Sequence, residues 1–268
     1  MNKLENTNKI QVFIFAAGRG ERMKPLTNTT PKPLVEINNK PLIGHILEQI
    51  INIPEVDKII INCHYLAEQI IKYCNNFAQQ HLIQSKIIIS QELEKLETGG
   101  GLLFAKNLID CTRPLITING DIIFHNNHDI LSIYHRFIEY KKQNIACDIL
   151  LGLQDKSKFF GYDGDGDFNL SENGLITKEN INNYAFIGLQ VVDISKISDL
   201  APCNTNNKPL TEFSMSYFYK EFIRQQAKPE QMQENKKINI RGHPLQQQYY
   251  HIGTLQNLED CRKSIPTQ

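Results

Sequence analysis

The sequence predicts a Rossmann-like, doubly wound α/β fold: a mostly parallel sheet followed by a small antiparallel patch. Three observations point there. Apolar, β-branched runs alternate with segments of helical periodicity through residues 10–153, and such alternation builds a parallel sheet that takes its ligands at the carboxyl ends of the strands. The first run, residues 10–15, stops at Ala16-Ala17 and delivers a loop rich in Gly, Arg and Lys, as a buried strand feeding a polar loop does. From Lys158 the texture changes to short strands and turns (GYDGDGDFNL, ENGLI, NYAFIGLQVV), the pattern of antiparallel hairpins. The 268 residues suffice for a sizeable core. The organisation expected is a polar tail at 1–9 and one domain at 10–265, with halves at 10–153 and 154–265.

After the first strand and its loop, residues 34–37 read as a short strand and Asn38-Asn39 as a turn. Residues 41–53 read as a helix, because Pro41 supplies a first-turn φ and needs no amide partner. Residues 56–62 (VDKIIIN) form the second buried strand, and residues 66–80 a helix with Leu66, Ile70 and Phe77 on one face. A third strand at 86–90 precedes a stretch, QELEKLETGGG, whose acidic residues and consecutive glycines break the pattern. A helix is expected at 102–108, with Gly99, Gly100 and Gly101 at its start admitting a flat ligand. Residues 115–119 (LITIN) form a strand ending at Gly120-Asp121, followed by a helix at 127–142 and a strand at 145–153. Further helices are expected at 210–226 and 254–264, with a polar excursion at 228–237. No hexapeptide repeat is present.

Lys plus Arg equals Asp plus Glu, 29 each, so no global field draws nucleic acid or an anionic membrane. Any anion binding is local. The six cysteines form no C-x-x-C pair, which fits reduced thiols in a cytoplasmic protein. The apolar run at 10–17 is too short to span a bilayer. No membrane, nucleic-acid or protein partner is therefore expected.

The loop after the first strand carries the chemistry. Ala17, Gly18 and Gly20 have little or no side chain, so their amides can approach a phosphate as an anion nest. Arg19, Arg22, Lys24 and Lys32 supply cations, and Pro25, Pro31 and Pro33 stiffen the segment. A preformed clamp of this kind loses less entropy when a polyphosphate binds. A dinucleotide fingerprint would need a third glycine where Met23 stands, and no Gly-Lys-Ser/Thr of a P-loop follows. Asp121 follows an apolar strand, where a carboxylate is held rigidly at the ligand edge.

Residues 18–34, with GRGERMKPLT followed by PKPL, resemble the signature of the sugar-1-phosphate nucleotidyltransferase family. Within it the likeness is to N-acetylmuramate-1-phosphate uridylyltransferases and short mannose-1-phosphate guanylyltransferase-like proteins, and it extends over residues 10–261. The resemblance implies the nucleotide-diphospho-sugar transferase fold, with the antiparallel patch as a sugar-binding lobe. It also implies a nucleoside triphosphate (UTP favoured) and a sugar 1-phosphate as substrates, pyrophosphate as product and Mg²⁺ as cofactor. Arg22 would hold the β- and γ-phosphates, Lys32 the α-phosphate, and Asp121 the metal. Base and ribose would fall to the backbone of Ala16, Ala17 and Gly18 and to Glu97, Thr98, Gly99 and Gly100. Glu179 and Gly188 are the sugar-binding candidates. The family's second carboxylate, in a D-[VI]-G-T stretch, is replaced here by His251 in His251-Ile252-Gly253-Thr254. Either Asp121, phosphate oxygens and water hold the ion, or activity is impaired and the chain is a nucleotide-sugar-binding regulator.

Two other patterns are discounted. Asp163, Asp165 and Asp167 alternate like a calcium loop, but Phe168 and Gly174 occupy the positions that require Gly and Glu. Asn62-Cys63-His64-Tyr65 lacks a third group to orient a Cys/His nucleophile and reads instead as a strand-to-helix connection near the nucleotide.

Overall fold

The computed structural model describes residues 9–206, 208–228, 230 and 236–264. Residues 1–8 of the expected tail, 229 and 231–235 of the expected excursion and 265 at the expected domain end lie outside the described residues. The opening half runs β1 (Ile10–Phe15), β2 (Glu36–Ile37), β3 (Lys40–Pro41), α1 (Leu42–Ile51), β4 (Val56–Cys63), α2 (Ala67–Gln80), β5 (Ile87–Gln91) and α3 (Glu97–Phe104). Next come β6 (Leu115–Asn119), β7 (Ile122–Phe124), α4 (His128–Lys142), β8 (Ile149–Asp155) and β9 (Phe159–Phe160). The chain continues through β10 (Asn169–Leu170), β11 (Ile176–Thr177), β12 (Tyr184–Val192), α5 (Ile194–Asp199) and α6 (Ser216–Ala227). It closes with β13 (Ile240–Pro244), β14 (Tyr249–His251) and α7 (Leu255–Ser264).

Seven strands form the main sheet in the order β13-β8-β12-β6-β1-β4-β5. All neighbouring pairs are parallel except those of β12, which runs antiparallel to both β6 and β8. Because successive strand residues face opposite ways, β1 serves two cores. Val12 and Ile14 face α1 and α2, against Ile46, Leu47, Ile70 and Phe77, while Phe13 faces Leu102, Phe213 and Phe218. A third cluster beneath the cationic loop joins Met23, Val35 and Leu42 to Ile252, Leu258 and Cys261. A separate sheet, β7-β14-β9, and the two-stranded β10-β11 sheet account for the short-strand texture after Lys158.

Five expectations need correction. Residues 184–192 belong to the centre of the main sheet and not to a separate patch, since their apolar residues face both cores. The helix expected from Leu102 begins at Glu97, and Gly99, Gly100 and Gly101 lie inside it. Glycine is unfavourable in a helix interior by about 1 kcal/mol. It is required here because the 211–213 segment crosses directly above: a Cβ on Gly100 would stand 1.9 Å from the Thr211 carbonyl oxygen. The helix expected from Leu210 begins at Ser216, because the backbone before it bonds to α3 instead of to its own next turn. Residues 32–34 form a 3-10 turn ahead of β2, and 145–148 precede β8 as irregular chain.

Candidate functional site

β1 and β6 end side by side, in register from Gln11↔Leu115 to Phe15↔Asn119. The Gly120 amide donates to the Phe15 carbonyl at 2.9 Å, and a Cβ on Gly120 would lie 2.5 Å from that oxygen. Glycine thus lets the two loops leave the sheet in contact. Asp121 follows at once, fixed by β7, whose Ile122 pairs with His251 of β14. The Ile252 amide donates to the Asp121 carbonyl at 2.9 Å. Residues 130 positions apart in sequence are so brought face to face.

Lys32 arrives from the cationic loop. Gly20 adopts φ +68°, and a Cβ there would meet the Lys32 Cβ at 2.9 Å. Backbone conformation and space both call for glycine at this position. The Lys32 Nζ donates to Asp121 Oδ2 at 2.6 Å, and His251 Nε2 lies 3.5 Å from the same oxygen. Burial opposes the charge on Asp121, but Lys32 and His251 outweigh it and hold the carboxyl well below the usual carboxylate range. Asp121 Oδ1 is closed to solvent without a hydrogen-bond partner among the described residues. Gly253 completes the cluster: a Cβ there would lie 3.1 Å from Arg22 Nη2 and 2.8 Å from His251 Cε1.

A cavity of about 520 Å³ is lined by Gly18, Gly20, Arg22, Lys32, Thr98 and Asp121. A second, of about 530 Å³, shares Gly18, Gly20, Glu97 and Thr98 and extends over Ala17, Asn62 and Glu92. Arg22 is exposed, with no ion-pair partner among the described residues, whereas Arg19 and Lys24 both pair with Glu21. That difference separates the four loop cations.

The structure brings Ala17, Gly18, Gly20, Arg22, Lys32, Glu97, Thr98, Asp121 and His251 together. It does not so place every predicted residue. The amides of Gly99 and Gly100 donate to the Phe213 carbonyl at 2.8 and 2.9 Å, so they are occupied by the chain's own 211–213 segment. The Ala16 amide is buried and donates to Asn62 Oδ1 at 2.7 Å. Gly188, at φ +85°, packs its backbone on the Asn119 side chain. Glu179 is exposed, its backbone engaged by Asn182.

Sequence reasoning missed Glu92, Asn119 and Gly253, and it gave Asn62 a place in the loop near the nucleotide without its tie to Ala16 and Glu92. Asn62 Nδ2 donates to Glu92 Oε1 at 2.7 Å, so one buried amide ties the end of β1 to the loop after β5. Burial raises the Glu92 carboxyl above its ordinary range against the Asn62 bond. A polar asparagine directly after the isoleucine run 59–61, near the carboxyl end of β4, was the available signal. The neighbouring Cys63 thiol is pushed up to about 11 by burial, which agrees with discounting it as a nucleophile.

Residues 11–166, more than half of the chain, match the family model described as nucleotidyl transferase. The chain belongs to that family, the sugar-1-phosphate nucleotidyltransferases, and has their fold. It is 29% identical over 182 residues to N-acetylmuramate alpha-1-phosphate uridylyltransferase of Caulobacter vibrioides, covering 67% of this chain and 73% of that one. It is 35% identical over 132 residues to the mannose-1-phosphate guanylyltransferase catalytic subunit beta of Drosophila pseudoobscura pseudoobscura, covering 45% of this chain and 35% of that one. The crystal structure of HddC from Yersinia pseudotuberculosis superposes with a TM-score of 0.63 at 21% identity, over 95% of this chain and 99% of that one, and so shares the fold. Among the described residues no helix is long and apolar enough to cross a membrane.

Proposed function

We propose that this protein couples a nucleoside triphosphate to a sugar 1-phosphate with release of pyrophosphate, with UTP and N-acetylmuramate 1-phosphate as the favoured pair. In this reading residues 10–153 bind the nucleotide and 154–265 the sugar. The observation that carries it is the contact of Lys32 with Asp121 at 2.6 Å, on the wall of a cavity that also holds the glycine loop and Arg22. The Caulobacter relative supports the choice of substrates.

A sugar 1-phosphate is already a nucleophile, so no side chain need attack. One of its phosphate oxygens forms a bond to the α-phosphorus while the bond from that phosphorus to the β-bridging oxygen breaks. The electron pair leaves with pyrophosphate. The protein positions two anions that repel each other and neutralises their charge. Lys32 does so at the α-phosphate, Arg22 at the departing β- and γ-phosphates. The amides of Ala17, Gly18 and Gly20 cradle the triphosphate, and Glu97 and Thr98 border the nucleoside.

The residues present fit Mg²⁺. The unpartnered Asp121 Oδ1 is a hard oxygen donor. No group of three or more His, Cys, Asp or Glu side chains able to hold a metal occurs among the described residues, as suits an ion that keeps water and phosphate oxygens as ligands. Asp121 would hold the ion, with His251 beside it; the metal supplies further charge neutralisation at the phosphates.

The test is pyrophosphate release with Mg²⁺ over four nucleoside triphosphates against N-acetylmuramate, N-acetylglucosamine, glucose and mannose 1-phosphates. Release confined to UTP with the muramate ester is the expected result. GTP with mannose 1-phosphate would replace the favoured pair. No release across the grid, with nucleotide binding shown by calorimetry, would overturn the enzymatic reading.

A further inference from the structure

A third cavity, of about 470 Å³, lies between β12 and α6, and no role assigned so far uses it. Its apolar lining is Phe168, Phe186, Tyr219 and Ile223, and its charged lining is Asp167, Lys178 and Lys220. Its place follows from the sheet. Phe186 and Gly188 lie two residues apart on β12, and the Gly188 backbone rests on Asn119, which lines the Asp121 cavity. On the other side, Ser216 also lines the third cavity. It directly follows Met215, whose amide donates to Thr98 Oγ1 at 2.9 Å. Thr98 borders both nucleotide cavities. The third cavity is thus bracketed by the two structural links that lead to the reacting phosphates.

Polar groups on its walls are mostly engaged. The Tyr219 hydroxyl donates to Gln190 Oε1 at 2.8 Å, so the residue offers its ring. Asp167 Oδ2 accepts the Phe186 amide at 2.9 Å, and its carboxylate also bonds the Tyr162 side chain. Lys178 donates to the backbone carbonyl of Asp167 at 3.0 Å and lies 5.6 Å from the centre of the Phe168 ring, with no ion-pair partner among the described residues. Lys220 is exposed and has no ion-pair partner among the described residues. An apolar floor with two lysines against a single carboxylate, Asp167, which the Phe186 amide already engages, matches a short aliphatic arm ending in an anion.

We propose that this cavity receives a carboxylate carried on a short apolar substituent of the sugar 1-phosphate, with Lys220 and Lys178 as the residues that read the charge. The assignment rests on the functional reading above, and the carboxyethyl ether of N-acetylmuramate is such an arm. N-acetylglucosamine 1-phosphate is the matched probe, because it lacks only that arm.

The experiment compares the KM of both sugar phosphates, with UTP and Mg²⁺, in the wild type, Lys220→Met, Lys178→Met and Lys220→Arg. Both lysines are exposed, so the variants fold. Expected is a lower wild-type KM for the muramate ester, raised about tenfold or more by either methionine, as loss of one charge-assisted contact implies. The glucosamine ester should move less than about twofold in all variants, and Lys220→Arg should restore the preference. Turnover of both sugars with equal KM, or equal shifts for both in the methionine variants, would overturn this assignment alone. Absence of turnover with either sugar would overturn the functional reading and the assignment with it.

Discussion

Asn62→Leu tests how the nucleotide edge is held. In the native protein Asn62 Oδ1 accepts the Ala16 amide and its Nδ2 donates to Glu92, each at 2.7 Å and each among buried atoms. Leucine has a similar volume but neither bond, so it leaves a buried amide and a buried carboxyl each short of a partner. Each such orphan costs about 1–3 kcal/mol. Part is offset by the apolar burial of leucine, on the order of 1 kcal/mol, leaving a net loss of about 1–5 kcal/mol. Against a typical total of about 5–15 kcal/mol, that is a large shift in the urea midpoint, with the slope unchanged. Because Ala16 begins the glycine loop, nucleotide KM should rise about tenfold as well, as loss of loop pre-organisation implies. A double-mutant cycle with Glu92→Met should return a coupling of about 1 kcal/mol or more. A urea midpoint within error of wild type, together with an unchanged nucleotide KM, would refute the idea that this amide anchors the loop.

Glu92 has a raised folded-state value, so its proton-linked contribution to stability is fully present below the ordinary carboxylate value of about 4.3 and is lost as pH rises through the raised one. Glu92→Gln keeps an oxygen for Asn62 and should gain stability relative to wild type at pH 7 compared with pH 4, read as urea midpoints; a pH-independent difference would contradict this. Gly100→Ala places a methyl 1.9 Å from the Thr211 carbonyl oxygen, so thermal denaturation should report a loss of about 1–3 kcal/mol, and an unchanged melting temperature would contradict the crossing described. Asp121→Asn should cut kcat about a hundredfold or more while nucleotide affinity by calorimetry changes less than about fivefold, since the lost charge acts in the transition state. Equal loss of affinity and rate would instead make Asp121 a simple binding residue.

How much could be read from the sequence depended on how local the cause was. β1, β4, β5 and β6 were legible because a buried parallel strand is a short continuous apolar run. The Gly20-to-Lys32 loop was legible because residue types, more than contacts, define an anion clamp. The start of α3 was not. Three glycines in a row read as a break, and only the distant 211–213 segment explains them. The same segment takes the amides of Gly99 and Gly100, two residues expected at the base and ribose. β12 was misplaced for a related reason: its apolar, β-branched run says that it is a strand, but nothing within YAFIGLQVV says that it inserts between β6 and β8. His251 was picked out through the resemblance, yet its distance to Asp121 depends on β7 pairing with β14, a contact between distant parts of the chain.

The insertion of β12 has a consequence for biosynthesis. As the chain leaves the ribosome, β1, β4, β5 and β6 can assemble into a four-stranded parallel sheet by residue 119. Leu115–Asn119 is then its open border, four of its five residues destined to be buried. That border stays uncovered until residues 184–192 are made. At about 5–20 residues per second, synthesis of that intervening stretch takes several seconds, long enough for a bare apolar edge to pair with another nascent chain. A fragment ending at residue 166, where the family match stops, would retain that edge permanently and aggregate.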